Sequence, residues 1–316
     1  MKILIFKLAA MTLALSASAA YAEDVIASSA DGSFWLSGGV GLMNIEAHEY
    51  VWDGANKASQ LDWDTKGVVL YSATAHADLG NDWTVKAKID VGFGGDGNMV
   101  DYDWNPDFTS DRSMDGWSDR SISPDTRLER YFNGSLEIGR DIFSDDHGTF
   151  GINAGFKYTN VRWSSYGGSY IYSTDGFRDT VGDSPAGNKT ITYQQKIPTV
   201  FLGLDGAAQI DRLTLSGGIK AGVTKGIDDI DNHWAVQTNF FSNMKPAPVA
   251  MLSAAVDYQL TDAASLYFAG NFENVFNRRG DARVIDTTTG GVTNYANASG
   301  ASFKTMSLQI GLRGRF

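Results

Sequence analysis

The sequence predicts an all-β fold, a ten-stranded antiparallel transmembrane β-barrel with five long extracellular loops, and three observations predict it. Apolar residues alternate with polar ones in ten separate runs instead of recurring at helical spacing. The connections between runs alternate between short turns and long polar segments. Beyond the N-terminus, no stretch approaches the ~18 consecutive apolar residues that a transmembrane helix needs.

The N-terminal segment "MKILIFKLAAMTLALSASAAYA" has Lys2 and Lys7, then an apolar run, then Ala20-Tyr21-Ala22. That order describes a secretory signal peptide cleaved after Ala22, leaving residues 23–316 as a single barrel domain. A retained anchor is the alternative, but the apolar run is short for a spanning helix. Loss of the leader removes two lysines and no acids, taking the net charge from −11 to −13. Such a surface argues against nucleic acid and suits a cationic ligand. The chain has no cysteine, which excludes disulfides and thiolate metal sites.

The last run is the clearest strand. In "FKTMSLQIGLRGRF" the positions Met306, Leu308, Ile310, Leu312 and Phe316 form an apolar face, and Thr305, Ser307, Gln309, Arg313 and Arg315 a polar one. "TVKAKIDVGF" repeats the pattern, with Val85, Ala87, Ile89, Val91 and Phe93 opposite Lys86, Lys88 and Asp90. The other runs lie near Phe34–Asn44, Val68–Leu79, Leu128–Phe143, Thr149–Arg162, Thr192–Gln209, Leu213–Thr224, Val249–Leu260 and Ser265–Phe276. An even strand number is what a single-chain bacterial barrel requires. A soluble all-β domain is the alternative; the lipid-like face of each run favours the membrane, where only a closed sheet pairs every backbone amide.

"GNDW", "SDDHG", "QIDR" and "TDAA" read as short periplasmic turns, and segments near 45–67, 94–126, 163–191, 225–248 and 277–302 as the long outer loops. Function is expected in those loops. The second carries eight aspartates against two arginines between Asp96 and Asp125, most of them a solvated surface. Asp101 and Asp103 stand apart, because i, i+2 spacing in an extended segment puts both carboxylates on one face. Like charges that close raise one pKa, so the pair can hold a proton near neutrality. A calcium loop fails here: its sixth and twelfth positions would be Pro106 and Arg112 instead of glycine and a bidentate acid. In "DIDNH", Asp231 sits two residues before His233, where it can orient the imidazole as a general base. A solvated surface histidine is the bland alternative. The second loop follows the third strand and the fourth the seventh, so the two pairs can face each other across the barrel mouth and hold a water between them.

These residues resemble the omptin family of outer-membrane endopeptidases, through "SQLDW" (Ser59–Trp63), "GNMVDYDW" (Gly97–Trp104), "WSDRSISPDT" (Trp117–Thr126), "GGSYIYS" (Gly167–Ser173), "GFRD" (Gly176–Asp179) and "DIDNH" (Asp229–His233). The resemblance implies an active site facing the exterior, with Asp101 and Asp103 as an aspartate couple and Asp231 and His233 as an Asp–His dyad. It implies peptide or protein substrates cut next to basic residues, with Glu46 and Asp229 as the acids of the specificity pocket and Met99 and Ile191 as its apolar wall. Neither a metal nor another cofactor is implied, but lipopolysaccharide is, as an activating lipid held by Arg162, Lys196, Tyr158 and Asn160 on the outer wall. The family usually has arginine where Lys196 stands, and lysine lacks bidentate phosphate binding. A monomer is expected. Ser121 as a nucleophile paired with His233 is a rival mechanism, and a non-enzymatic barrel acting as adhesin or small channel a rival class.

Overall fold

The computed structural model of the protein describes residues 33–145 and 147–316, so the leader expected at 1–22 lies outside the described residues. The chain forms β1 (Phe34–Asp53), β2 (Asn56–Gly80), β3 (Trp83–Phe93), β4 (Asp96–Asp103), β5 (Asp119–Asp145), β6 (Gly148–Tyr172), β7 (Thr180–Ile210), β8 (Leu213–Thr224), β9 (Ile227–His233), β10 (Thr238–Met244), β11 (Pro248–Thr261), β12 (Ala264–Asp286) and β13 (Val292–Arg315). Every pairing between them is antiparallel.

Thirteen segments make ten staves because three staves are interrupted. β2 pairs β3 as far as Val69–Phe93 and then β4 from Lys66–Asp96, so β4 continues the stave of β3. Gly94 and Gly95 make the break, with φ of 68° and 100°. A Cβ on Gly95 would lie 2.7 Å from the Thr65 side chain, so glycine is required there. β9 likewise continues β8 along β7, and β10 leads into β11 along β12. The ring closes at both levels: β8 joins β7 to β11 in the lower half, and β10 joins β9 to β12 in the upper.

The predicted short turns are present, but four of the five predicted long loops are largely strand. Residues 45–67 form a hairpin turning at Asp53–Asn56, and the strands around 163–191, 225–248 and 277–302 also run on, to connections at 173–179, 234–237 and 287–291. Their backbone hydrogen bonds are ladder bonds, which polar composition does not reveal. Only the segment between β4 and β5 is irregular over most of its length.

The lower half is a membrane barrel. The eleven residues of β3 match the ~9–11 that a tilted strand needs to cross the hydrocarbon. Ile89, Leu136, Phe156, Leu202, Ile219 and Ile310 are all at least 50% exposed on the outside. The lumen there holds ion pairs: Lys88–Asp90 at 3.2 Å, Lys86–Glu137 at 3.1 Å, Lys220–Glu137 at 2.6 Å and a buried Lys157–Glu273 pair. A cavity of about 730 Å³ opens at the short-turn end, lined by Trp35, His76, Arg140 and Arg313. Above the membrane the lumen is filled by an apolar core around Trp63, Trp163 and Tyr193, whose rings stack 5.4–6.2 Å apart.

Candidate active site

The site rests on top of that apolar core. β4 turns Met99, Asp101 and Asp103 inward, in register with Trp63, Leu61 and Ser59 of β2 and with Ser123, Ser121 and Asp119 of β5. The Ser59 hydroxyl donates to Asp101 Oδ1 at 3.4 Å. Burial holds the Asp101 carboxyl well above the usual carboxylate range, reinforced by the charge of Asp103. Burial also raises Asp103, to about 6, with a Ser59 hydrogen bond opposing and Asp119 assisting. Both neighbouring carboxyls are therefore held above the ordinary range, the condition under which a pair can share a proton near neutrality.

β9 turns Asp229, Asp231 and His233 inward, beside Gln195, Tyr193 and Ile191 of β7. His233 Nε2 lies 2.5 Å from Asp231 Oδ2, and the Phe240 ring packs against the imidazole at 5.1 Å. Burial depresses the His233 pKa, but the charge and hydrogen bond of Asp231, joined by Asp101 and Asp103, outweigh it and push the group up to about 9. That mutual influence shows the two predicted pairs facing one another. β4 and β9 are four staves apart one way round the ring and six the other.

Asp229 is buried to 2% exposure and pushed up to about 8, chiefly by burial, with Ser242 and Tyr193 hydrogen bonds opposing and Asp231 assisting. Met99 and Ile191 are both buried in the apolar cluster beside it. Glu46 is not there. It lies on the outer face of β1, 43% exposed, where it accepts a hydrogen bond from Lys304 at 2.7 Å. The reason is the two-residue period: Met43, Ile45 and Ala47 point inward, so Glu46 points out. The inward acid is Glu49, 4% exposed and raised well above the usual range by burial and then by Asp231, Asp229 and Asp101. No motif marks Glu49, but it continues the odd-numbered series that Met43, Ile45 and Ala47 begin. His48, one position earlier, again points out and bonds Asp62 at 2.6 Å, a second His–Asp pair on the outer face.

Tyr193 and Gln195 also belong to this floor and carry no sequence signal: the Tyr193 hydroxyl donates to Asp229 Oδ2 at 3.3 Å and accepts from Gln195. Ser121 faces the cleft opposite Asp101 and is hydrogen-bonded to Tyr172. Ser123 is buried and donates to the Gly167 carbonyl. On the outer wall Tyr158, Asn160 and Arg162 follow one another on one face of β6, and Lys196 is the register partner of Asn160. They sit directly above Phe156 and Val200 of the apolar belt, 50% and 55% exposed.

The chain is similar to known proteins along its whole barrel. The Omptin family profile matches residues 31–316. Protease 7 of Escherichia coli O157:H7 is 29% identical over 245 residues, 74% of each chain. The plasminogen activator of Yersinia pestis is 27% identical over 307 residues, 96% of each chain. The crystal structure of outer membrane protease OmpT from Escherichia coli superposes with a TM-score of 0.84 at 25% identity, over 90% of this chain and 96% of that one. A match across nearly all the described barrel places the chain in the omptin family, as a protease of the bacterial outer membrane.

Proposed function

We propose that the protein is an endopeptidase that cuts exposed peptides next to Lys or Arg, using His233, Asp231, Asp101 and Asp103 to activate a water from the outer side of the membrane. The observation that carries this reading is the cleft itself. Five acids, Glu49, Asp229 and Asp231 buried and Asp101 and Asp103 half-buried, gather with one imidazole above an apolar floor. A long cationic side chain matches both features, its stem against Met99 and Ile191 and its head on Glu49 and Asp229.

In the empty site His233 holds a proton at neutral pH. A cation entering beside Glu49 and Asp229 favours their ionised forms and the neutral imidazole, by Coulombic repulsion. With Nε2–H given to Asp231, Nδ1 is free to take a proton from water as its oxygen attacks the scissile carbonyl. Protonated Asp101 donates to the developing oxyanion, the hydrogen bond strengthening as charge grows. The imidazolium then protonates the leaving amine, and the acid and amine products carry all the atoms of peptide and water.

Lipopolysaccharide is the proposed activating lipid, its phosphates on Arg162 and Lys196 at headgroup height and its sugars against Tyr158 and Asn160. The test of the enzymatic reading is cleavage of a fluorogenic Arg-Arg peptide by the purified chain in lipopolysaccharide, with and without chelator. Cleavage in both conditions is expected; no cleavage in either would sink the reading.

A further inference from the structure

The pocket floor holds a neutral side chain that the proposed cleavage leaves unused. Gln195 is fully buried and lies across from Asp229 in the β7–β9 register. Its amide nitrogen donates to the Tyr193 hydroxyl at 2.8 Å and to the Ser302 carbonyl at 3.2 Å. Reversing the amide would set its oxygen against the Ser302 carbonyl, two acceptors with no proton between them, so the neighbours fix the orientation. Gln195 Oε1 is left buried without a donor.

It has company. Glu49 Oε2, Asp229 Oδ1 and Asp231 Oδ1 are also buried and unpartnered. The Tyr193 hydroxyl ties the group together, since it bonds both Gln195 and Asp229 and feels the charges of Asp229 and Glu49. Folded proteins pair nearly all such acceptors, so an unpaired set at one place is matched to a ligand that brings N–H groups and no acceptor. An ammonium brings three donors on a compact charge, which two carboxylates satisfy. A guanidinium brings five in a plane, more than two carboxylates reach from one side.

We propose that Gln195 Oε1 accepts a hydrogen bond from the guanidinium of an arginine on the amino side of the cut bond, and so makes the pocket prefer arginine to lysine. This rests on the reading of the site as one that cuts beside basic residues. Gln195 is a specificity residue, and its neutrality is the point: a third carboxylate would add charge without need, while an amide oxygen adds direction.

The test compares two peptides differing only in Arg or Lys at that position, cut by the full-length protein in lipopolysaccharide. The wild type is expected to favour arginine in kcat/KM. Gln195→Met keeps the volume but has no such acceptor, and should lower the arginine-to-lysine ratio about tenfold, the scale of one lost buried hydrogen bond. Gln195→Glu loses the amide N–H donors yet keeps an acceptor oxygen, and should retain the arginine preference. A purely structural role would lower both peptides together, so an unchanged ratio in Gln195→Met overturns the inference. An equal fall of the ratio in both variants overturns it as well, because the amide nitrogen would then be responsible. If the wild type cuts both peptides while the ratio stays fixed, only this inference fails; if it cuts neither, the reading of the site fails with it.

Discussion

Strand β13 obeys one rule above the membrane and the opposite rule within it. Its inward side chains are Ala301 and Phe303 above, then Thr305, Ser307 and Gln309 below; its outward ones are Ser302 and Lys304 above, then Met306, Leu308 and Ile310 below. β1 inverts at the same height, from outward Leu42 to outward Asn44 and Glu46, in register with Leu308, Met306 and Lys304. In these two strands the alternation runs through the boundary unbroken, and it is the solvents that change. Below, lipid takes the apolar face and the lumen is polar. Above, water takes the outer face and the lumen becomes a core. A buried acidic pocket needs such a core, because carboxyls in a wet lumen would keep ordinary pKa values. The protein thus sets its chemistry where the barrel behaves as a water-soluble one.

The largest effect expected from this division is in catalysis. His233→Ala or Asp101→Ala should lower cleavage of an Arg-Arg peptide by about a thousandfold or more while the barrel still assembles. Near-full activity in either variant would break the dyad-and-couple mechanism. Replacement of the lower-lumen Lys88 by methionine should leave turnover within a few-fold, since its partner is Asp90 and not the cleft.

The next effect tests the lower half alone. Ile310→Arg puts a charge on the lipid face and should cost about 2–4 kcal/mol in barrel stability, read by denaturant unfolding in lipid. Lys304→Met, six positions earlier on the same outward face, replaces a charge in water and should cost less than about 1 kcal/mol. Equal costs would mean that the boundary between the halves is misplaced.

Glu46 and Glu49 make the comparison within three residues. Glu49→Gln should raise KM for an arginine peptide by about tenfold, as expected for one charge-assisted bond weakened. Glu46→Gln should leave it unchanged, because its partner is Lys304 outside the barrel. The reverse result would restore Glu46 to the pocket.

The lower half was legible in the sequence because lipid permits one pattern. Val85 to Phe93 alternate in plain view, and the outward residues are as exposed as the pattern requires. The upper half was legible only through motifs. Asp101, Asp103, Asp231 and His233 lie where their i, i+2 spacing put them, but the hairpins that carry them looked like loops because polar strands in water resemble polar loops. The resemblance points to Glu46, while the strand period selects Glu49. Gln195 had no signal at all, since its bond to Ser302 spans 107 positions and exists only once the ring closes.

A pH experiment sharpens the electrostatic side of the contrast. Burial lifts Asp229 to about 8, so in the empty pocket it binds a proton below that pH, and a cation must displace it. Affinity for a non-cleavable arginine peptide should therefore rise with pH through about 8, the Asp229 proton alone contributing at most about tenfold per unit. Asp229→Asn should bind weakly with a flatter profile. Glu49, Asp231 and Tyr193 share the pocket, so a residual slope from Glu49 remains.

The smallest effect lies on the boundary itself, where Lys196 and Arg162 stand one rung apart on the outer wall. Both are placed just above exposed Phe156 and Val200, at the height of lipid phosphates. An ammonium meets a phosphate as a point charge, while a guanidinium can bind two of its oxygens at once. Lys196→Arg should therefore lower the lipopolysaccharide concentration that gives half-maximal activity by a few-fold, with the maximal rate unchanged. Lys196→Gln should raise that concentration by a similar factor, more so at low salt, where a surface charge acts over a longer range. A change in maximal rate instead would place Lys196 in coupling to the cleft through β7, whose inward residues at this level are Gln195 and Ile197, and would mean that the outer wall and the pocket are not independent.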